Sequence, residues 1–151
     1  MKPGISWIGI LIFVLPMIIN LIYAIFPPIN TPTEPAKVNK VIEFVEQLTR
    51  MLYMLAICFL KSKRKVDYTS IWLYLGIIFL ILYYIVWIRY FTGGRDAGLL
   101  SKSFCLIPMP LAVFPVLYFI CAALWLHNIP AVIIMIIFGI AHNIVSYSSL
   151  K

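Results

Sequence analysis

The chain has 151 residues, 64% of them hydrophobic and 11% charged, with a net charge of +7. The apolar runs take up so much of it that no room remains for a soluble domain. The basic residues gather in Lys61-Ser62-Lys63-Arg64-Lys65, between two of these runs. That is the charge pattern of a cytoplasmic membrane loop, and nucleic-acid binding is rejected.

Five runs approach or reach the roughly 20 apolar residues that a bilayer-crossing helix needs. They cover residues 5–26, 38–60, 70–91, 104–126 and 130–147. The runs are continuous rather than alternating, which excludes an outer-membrane barrel. No internal repeat is visible. The first run follows Lys2, is longer than a signal-peptide core and lacks an A-x-A-like cleavage site, so it is expected to stay as a helix. After it comes the loop 27–37, where Pro27, Pro28, Pro32 and Pro35 favour a stiff, extended chain. Thr33 or Glu34 is expected to cap the second helix, with Pro35 in its first turn.

The second run carries Asn39, Glu43, Glu46, Gln47, Arg50 and Tyr53 at spacings that line one helical face. Glu46 precedes Arg50 by four residues, the favourable order for an ion pair within a helix. Ionisable groups inside a membrane are costly, and such residues turn toward a bundle interior or a wet cavity. The alternative is an amphipathic extension over residues 34–47 at the interface, with Arg50 snorkelling to water.

In the third run, Trp72, Trp87 and Tyr90 stand near the ends, as does Tyr147 in the fifth, and these rings are expected at the membrane interface. Arg89 lies near the outer end of the third run. Gly93-Gly94 and Gly98 around Arg95-Asp96 make a turn. Pro108, Pro110 and Pro115 in the fourth run predict a kinked or broken helix. His127 to Pro130 form a tight turn. In the fifth run Gly139, His142 and Ser146 share a stripe suited to close packing, and only one of His142 and Asn143 can face inward.

With residues 61–65 in the cytoplasm, the N-terminus lies inside and the C-terminus outside. The predicted fold is a single all-α integral-membrane domain over residues 1–151, a multi-pass bundle of about five spans in the plasma membrane. Four spans are the alternative, if the last two runs merge into a bent or re-entrant hairpin. Under this topology Asn20, Glu43, Glu46, Arg50, Arg89 and His142 reach similar depths in the outer half, and they form the candidate ligand-binding set.

No cofactor or metal is assigned. His127 and His142 lie at opposite depths, which does not suit a bis-histidine haem, and Glu43, Glu46 and His142 lack the spacing of a recognised zinc motif. Cys58, Cys105 and Cys121 form no CxxC pair and are read as apolar packing residues. The favoured function is binding, conducting or sensing a small cationic or amphipathic ligand. Membrane lipid and a hydrophobic or amphipathic small molecule are the expected partners, with a homo-oligomer or a larger membrane complex as the setting. The alternative is a membrane-embedded enzyme acting on a lipid or isoprenoid. There Glu46 or Glu43 would serve as acid or base, Arg50 and Arg89 would hold an anionic head, and His142 would shuttle protons.

Overall fold

Each apolar run becomes a helix where a capping residue can open it. In the computed structural model, which describes residues 1–31 and 37–149, Ser6 opens α1 (Trp7–Ile25), its hydroxyl accepting from the Gly9 amide at 3.1 Å. Asn39 opens α2 (Lys40–Phe59), its side-chain oxygen accepting from Val41 at 2.9 Å. The caps expected at Thr33 or Glu34, and Pro35 beside them, lie outside the described residues. Next come α3 (Ile71–Thr92), the short α4 (Gly98–Ser101), α5 (Pro110–Trp125) and α6 (Ile129–Ser148). Pro110 and Pro130 both occupy the first helical turn, where no amide is needed. A two-residue strand β1 (Lys2–Pro3) pairs antiparallel with β2 (Leu60–Lys61), placing Lys2 opposite Lys61.

The fold is all-α apart from this short ladder. Three helices, α1, α3 and α6, are long and apolar enough to cross a membrane, and α5 is apolar but shorter, at 16 residues. These helices point to a membrane protein. On α1, exposed Trp7, Leu11, Val14, Ile18, Leu21, Ile22 and Ile25 include an apolar stripe at helical spacing. On α2 the apolar residues Val41, Phe44, Leu48, Met51, Leu55 and Phe59 are exposed beside Lys40, Glu43, Gln47 and Arg50, while Glu46 and Thr49 are buried. A water-soluble helix turns such apolar stripes inward.

The most enclosed helix is α5, packed between α3 and α6, with α2 against the far side of α6. α1 meets α2 at the basic end, where a β-carbon at Gly9 would lie 1.9 Å from the Ile57 carbonyl oxygen. Only glycine permits so close a crossing. Toward the other end α1 leans on α3, where Tyr23 packs on Trp87 and Tyr90.

Side chains from distant helices bond to backbone carbonyls at helix breaks and helix ends. Pro16, inside α1, has no amide for the Ile12 carbonyl one turn earlier. The Tyr118 hydroxyl of α5 donates to that carbonyl at 2.8 Å. Asn128, only 1% exposed, performs a double task. Its oxygen accepts from Ala131 at the start of α6, and its amide donates to the Ala56 and Leu60 carbonyls at the end of α2, at 2.8 and 3.1 Å. Opposite the basic end, Asn30 binds Asp96 at 2.9 Å and the Ala97 amide at 2.8 Å, tying two loops together. This bond, with one from the Gly98 amide, holds the Asp96 carboxyl below its ordinary range.

Three expectations are corrected. The helix expected over residues 104–126 begins only at Pro110, because Cys105, Leu106 and Met109 adopt left-handed backbone (φ 50°, 64° and 51°) around a Phe104–Ile107 bridge. The break precedes Pro110, and Pro115 is carried inside the helix. Cys105 is consequently exposed, not a packing residue, whereas Cys58 and Cys121 are buried. Trp87 and Tyr90, expected as interface-facing rings, are instead buried against α1 because their helix face points inward.

The proline pairing is testable. Tyr118→Phe alone should cost about 1–2 kcal/mol, by leaving a buried carbonyl unpaired. In a Pro16→Ala background the same change should cost less, because the amide restored at position 16 takes over that carbonyl. A double-mutant cycle by unfolding in micelles checks this, and equal costs in both backgrounds would show that the hydroxyl does not serve the proline break.

Candidate functional site

Glu46 is the first buried residue of α2, in register with Thr49 and Tyr53. At 1.5 Å per residue it lies about 9 Å from the helix start. His142 lies about the same distance from the end of the antiparallel α6. The two side chains therefore meet at one depth. Nδ1 of His142 is 2.8 Å from Glu46 Oε1, and Nη2 of Arg50 reaches the same oxygen at 2.7 Å. The Glu46 side chain is only 5% exposed, against 23% for His142 and 48% for Arg50. These are the only ion pairs among the described residues.

A carboxylate can only accept, so its contact with His142 requires the proton on Nδ1 and leaves Nε2 for other partners. Phe138, one turn before His142, stacks on the imidazole at 5.0 Å and lies beneath the Arg50 guanidinium at 5.6 Å. The ring holds both cationic or polar groups from the apolar side. Glu46 is thus enclosed by Arg50, His142 and Phe138.

This cluster edges a partly open cavity of about 660 Å³, which takes walls from every helix. Asn20 lines it from α1, its side-chain oxygen accepting from the Tyr83 hydroxyl of α3 at 2.8 Å. Between these polar stations the walls are apolar: Phe13 and Met17 from α1, Phe119 from α5, and Met135 from α6. Pro115 and Met109 contribute as well, so the irregular approach to α5 helps shape the space. Ser146, in the expected stripe with His142, lines it one turn further on, while Gly139 of that stripe packs on Val116 instead.

Of the six residues expected together, Asn20, Glu46, Arg50 and His142 share this cavity. Glu43 does not: it is exposed, within the first turn of α2. Arg89 also points elsewhere. Its guanidinium donates to the carbonyls of Leu99, Lys102 and Ser103, at 3.3, 2.7 and 3.2 Å, over the Phe104 ring. It closes the C-terminal end of α4 and the strained segment after it, because those carbonyls have no helical partners. Asn143 turns aside too, donating to its own helix at Gly139. Among the described residues no three of His, Cys, Asp and Glu come together in a metal-holding group.

Sequence reasoning missed Phe138 and Tyr83. Phe138 had one available signal, its place four residues before His142 on the same face. Tyr83 had none, since its bond to Asn20 depends on how α1 leans across α3.

Comparison with known proteins is silent: no family model matches the chain, and no curated protein or solved structure gives a significant match.

The pairing of α2 with α6 makes a prediction. Glu46→Gln and His142→Ala should each destabilise the bundle, and together they should cost less than their sum by about 1 kcal/mol or more. Additive losses in unfolding experiments would show that the contact contributes nothing.

Proposed function

We propose that this protein binds one amphipathic molecule in the cavity between its long helices, with the polar head against Glu46, Arg50 and His142 and the apolar part among the aromatic and methionine walls. The observation that carries this reading is the cavity itself, about 660 Å³ of largely apolar space with one ion cluster at its edge. That size falls within the usual range for small-molecule sites, and a few placed polar groups in an apolar wall are their usual composition. A cationic head is poorly served, because Arg50 already neutralises Glu46. A head bearing acceptor oxygens fits better, since Arg50 keeps unused N–H donors and Nε2 of His142 remains available.

In this reading α2 and α5 cross the membrane with the other three, making five spans in the plasma membrane. Lys2 and residues 61–65 then lie in the cytoplasm, as the excess of basic residues requires, and the cavity occupies the outer half. The apolar outward stripe of α2 supports its crossing, because the same helix buries Glu46.

A second reading is favoured by one contact. Glu46 orients the His142 imidazole through Nδ1, the arrangement in which Nε2 can accept or return a proton, so the bound molecule would be a substrate undergoing acid–base chemistry.

The test is extraction of protein purified in mild detergent, with identification of the retained molecule by mass spectrometry. Glu46→Gln and Arg50→Leu should each lose it while still inserting and folding. If both variants keep the molecule and only melt at lower temperature, the cluster is a structural clasp. Conversion of the identified molecule by the wild type, abolished by His142→Gln, would select the enzymatic reading.

The orientation is checked separately. A cysteine introduced at Ser62 should resist an impermeant thiol reagent in intact cells and react once the membrane is opened. Ready labelling in intact cells would invert the topology.

A further inference from the structure

At the basic end of the bundle a second cavity, about 260 Å³, is built around the start of α1. Its polar side chains are Ser6, Lys61, Ser62 and Arg64, and Trp7 and Ile8 form part of its floor. The short ladder brings Lys2 directly opposite Lys61. Like charges facing each other across a strand pair repel, so this arrangement calls for an anion. No carboxylate answers it: among the described residues Lys2, Lys61, Lys63, Arg64 and Lys65 form no ion pair. The nearest acid in the chain, Asp67, uses its carboxylate on Thr69, whose amide and hydroxyl donate to it at 2.8 and 2.6 Å.

The donors around this cavity are those a phosphate needs. Ser6 and Ser62 each accept a backbone hydrogen bond, from Gly9 and Arg64 at 3.1 and 3.2 Å, which leaves their O–H groups free to donate. The amides of Trp7 and Ile8 belong to the first turn of α1 and have no acceptor within the helix. The positive end of the 19-residue helix dipole adds to the two cations.

What lies next to this cavity identifies the anion's other half. A wholly apolar groove of about 190 Å³ runs between α1 and α3, and Ile8 lines both spaces. Leu11 and Leu15 of α1 and Trp72, Ile77 and Leu80 of α3 form its walls. A phosphate pocket beside an apolar groove, with Ile8 in the wall of both, fits a lipid. We propose that this end of the protein binds one anionic phospholipid, its phosphate held by Lys61, Arg64 and the start of α1, and one acyl chain laid in the α1–α3 groove. The proposal requires the helices to stand in a bilayer but does not depend on what fills the central cavity.

The experiment compares full-length protein in nanodiscs of phosphatidylcholine alone with nanodiscs that also contain phosphatidylglycerol. Phosphatidylglycerol should raise the melting temperature and remain attached in native mass spectra. Lys61→Gln with Arg64→Gln should abolish both effects, weakening lipid retention about fivefold for each cation removed. Lys63→Gln with Lys65→Gln, on the same loop but outside the cavity, should leave them in place. All four side chains are exposed, so neither pair of changes disturbs the core. Equal loss from both pairs would mean a diffuse basic surface instead of a site, and no difference between the two nanodiscs would refute binding altogether. If inorganic phosphate or glycerol 3-phosphate reproduced the stabilisation, the ligand would be a soluble anion and the lipid assignment would fall.

Discussion

Burial of the Glu46 carboxylate sets the terms for the rest of the bundle. A charge removed from water must be paired and hydrogen-bonded, or it destabilises the fold by several kcal/mol. Arg50, on the same helix, provides one partner at no topological cost. The second partner, His142, comes from α6, and reaching it fixes both the rotation of α2 and its height against α6. Once that rotation is set, Val41, Phe44, Leu48, Met51, Leu55 and Phe59 must face outward. The cavity follows from the same constraint, since the polar groups that meet Glu46 cannot also fill the space beside it.

A second requirement runs through the structure: each opened backbone group needs a partner when water is absent. Tyrosine and asparagine meet it here over long sequence distances. Tyr118 serves the carbonyl opposite Pro16, Asn128 reaches the Leu60 carbonyl past the end of α2 while capping α6, and Tyr53 adds a donor to the Phe119 carbonyl within α5. Each such bond is worth about 1 kcal/mol, and losing one strands a buried acceptor, at greater cost, where the helix supplies no other partner, as at Ile12. The abundance of tyrosine in so apolar a chain follows from this: the ring packs as a hydrophobe, and its one hydroxyl reaches a carbonyl on another helix.

Helix identity was legible in the sequence because apolar length alone marks it, but the inward face of α2 only in part: of the six residues at helical spacing Glu46 and Tyr53 are buried, whereas Asn39, Glu43, Gln47 and Arg50 are exposed. His142 could be placed at the same depth by counting residues along antiparallel segments. Other features were hidden. The six positions before Pro110 are apolar enough to pass for helix, and only the backbone shows Cys105, Leu106 and Met109 in left-handed conformations. Arg89 and Glu43 sit at plausible heights, but depth says nothing about azimuth. Arg89 is drawn to the open carbonyls after α4, and Glu43 lies exposed in the first turn of α2. Pairings such as Asn20 with Tyr83 depend on the lean of one helix across another, which no local pattern encodes.

The contact between Glu46 and His142 spans 96 positions of the chain. Its acid belongs to the second long helix to emerge during synthesis and its imidazole to the last. Until α6 is complete, Glu46 has only Arg50 of its own helix for a partner, and a charge near a helix centre opposes entry into lipid by about 2.5–3.5 kcal/mol. On the proposed five-span topology, α2 therefore stays poorly committed while the remaining segments are made. The closing event of biogenesis is then the arrival of α6, so that a truncated chain lacking residues beyond Leu126 loses more than one helix: it leaves α2 without the group that settles it in place.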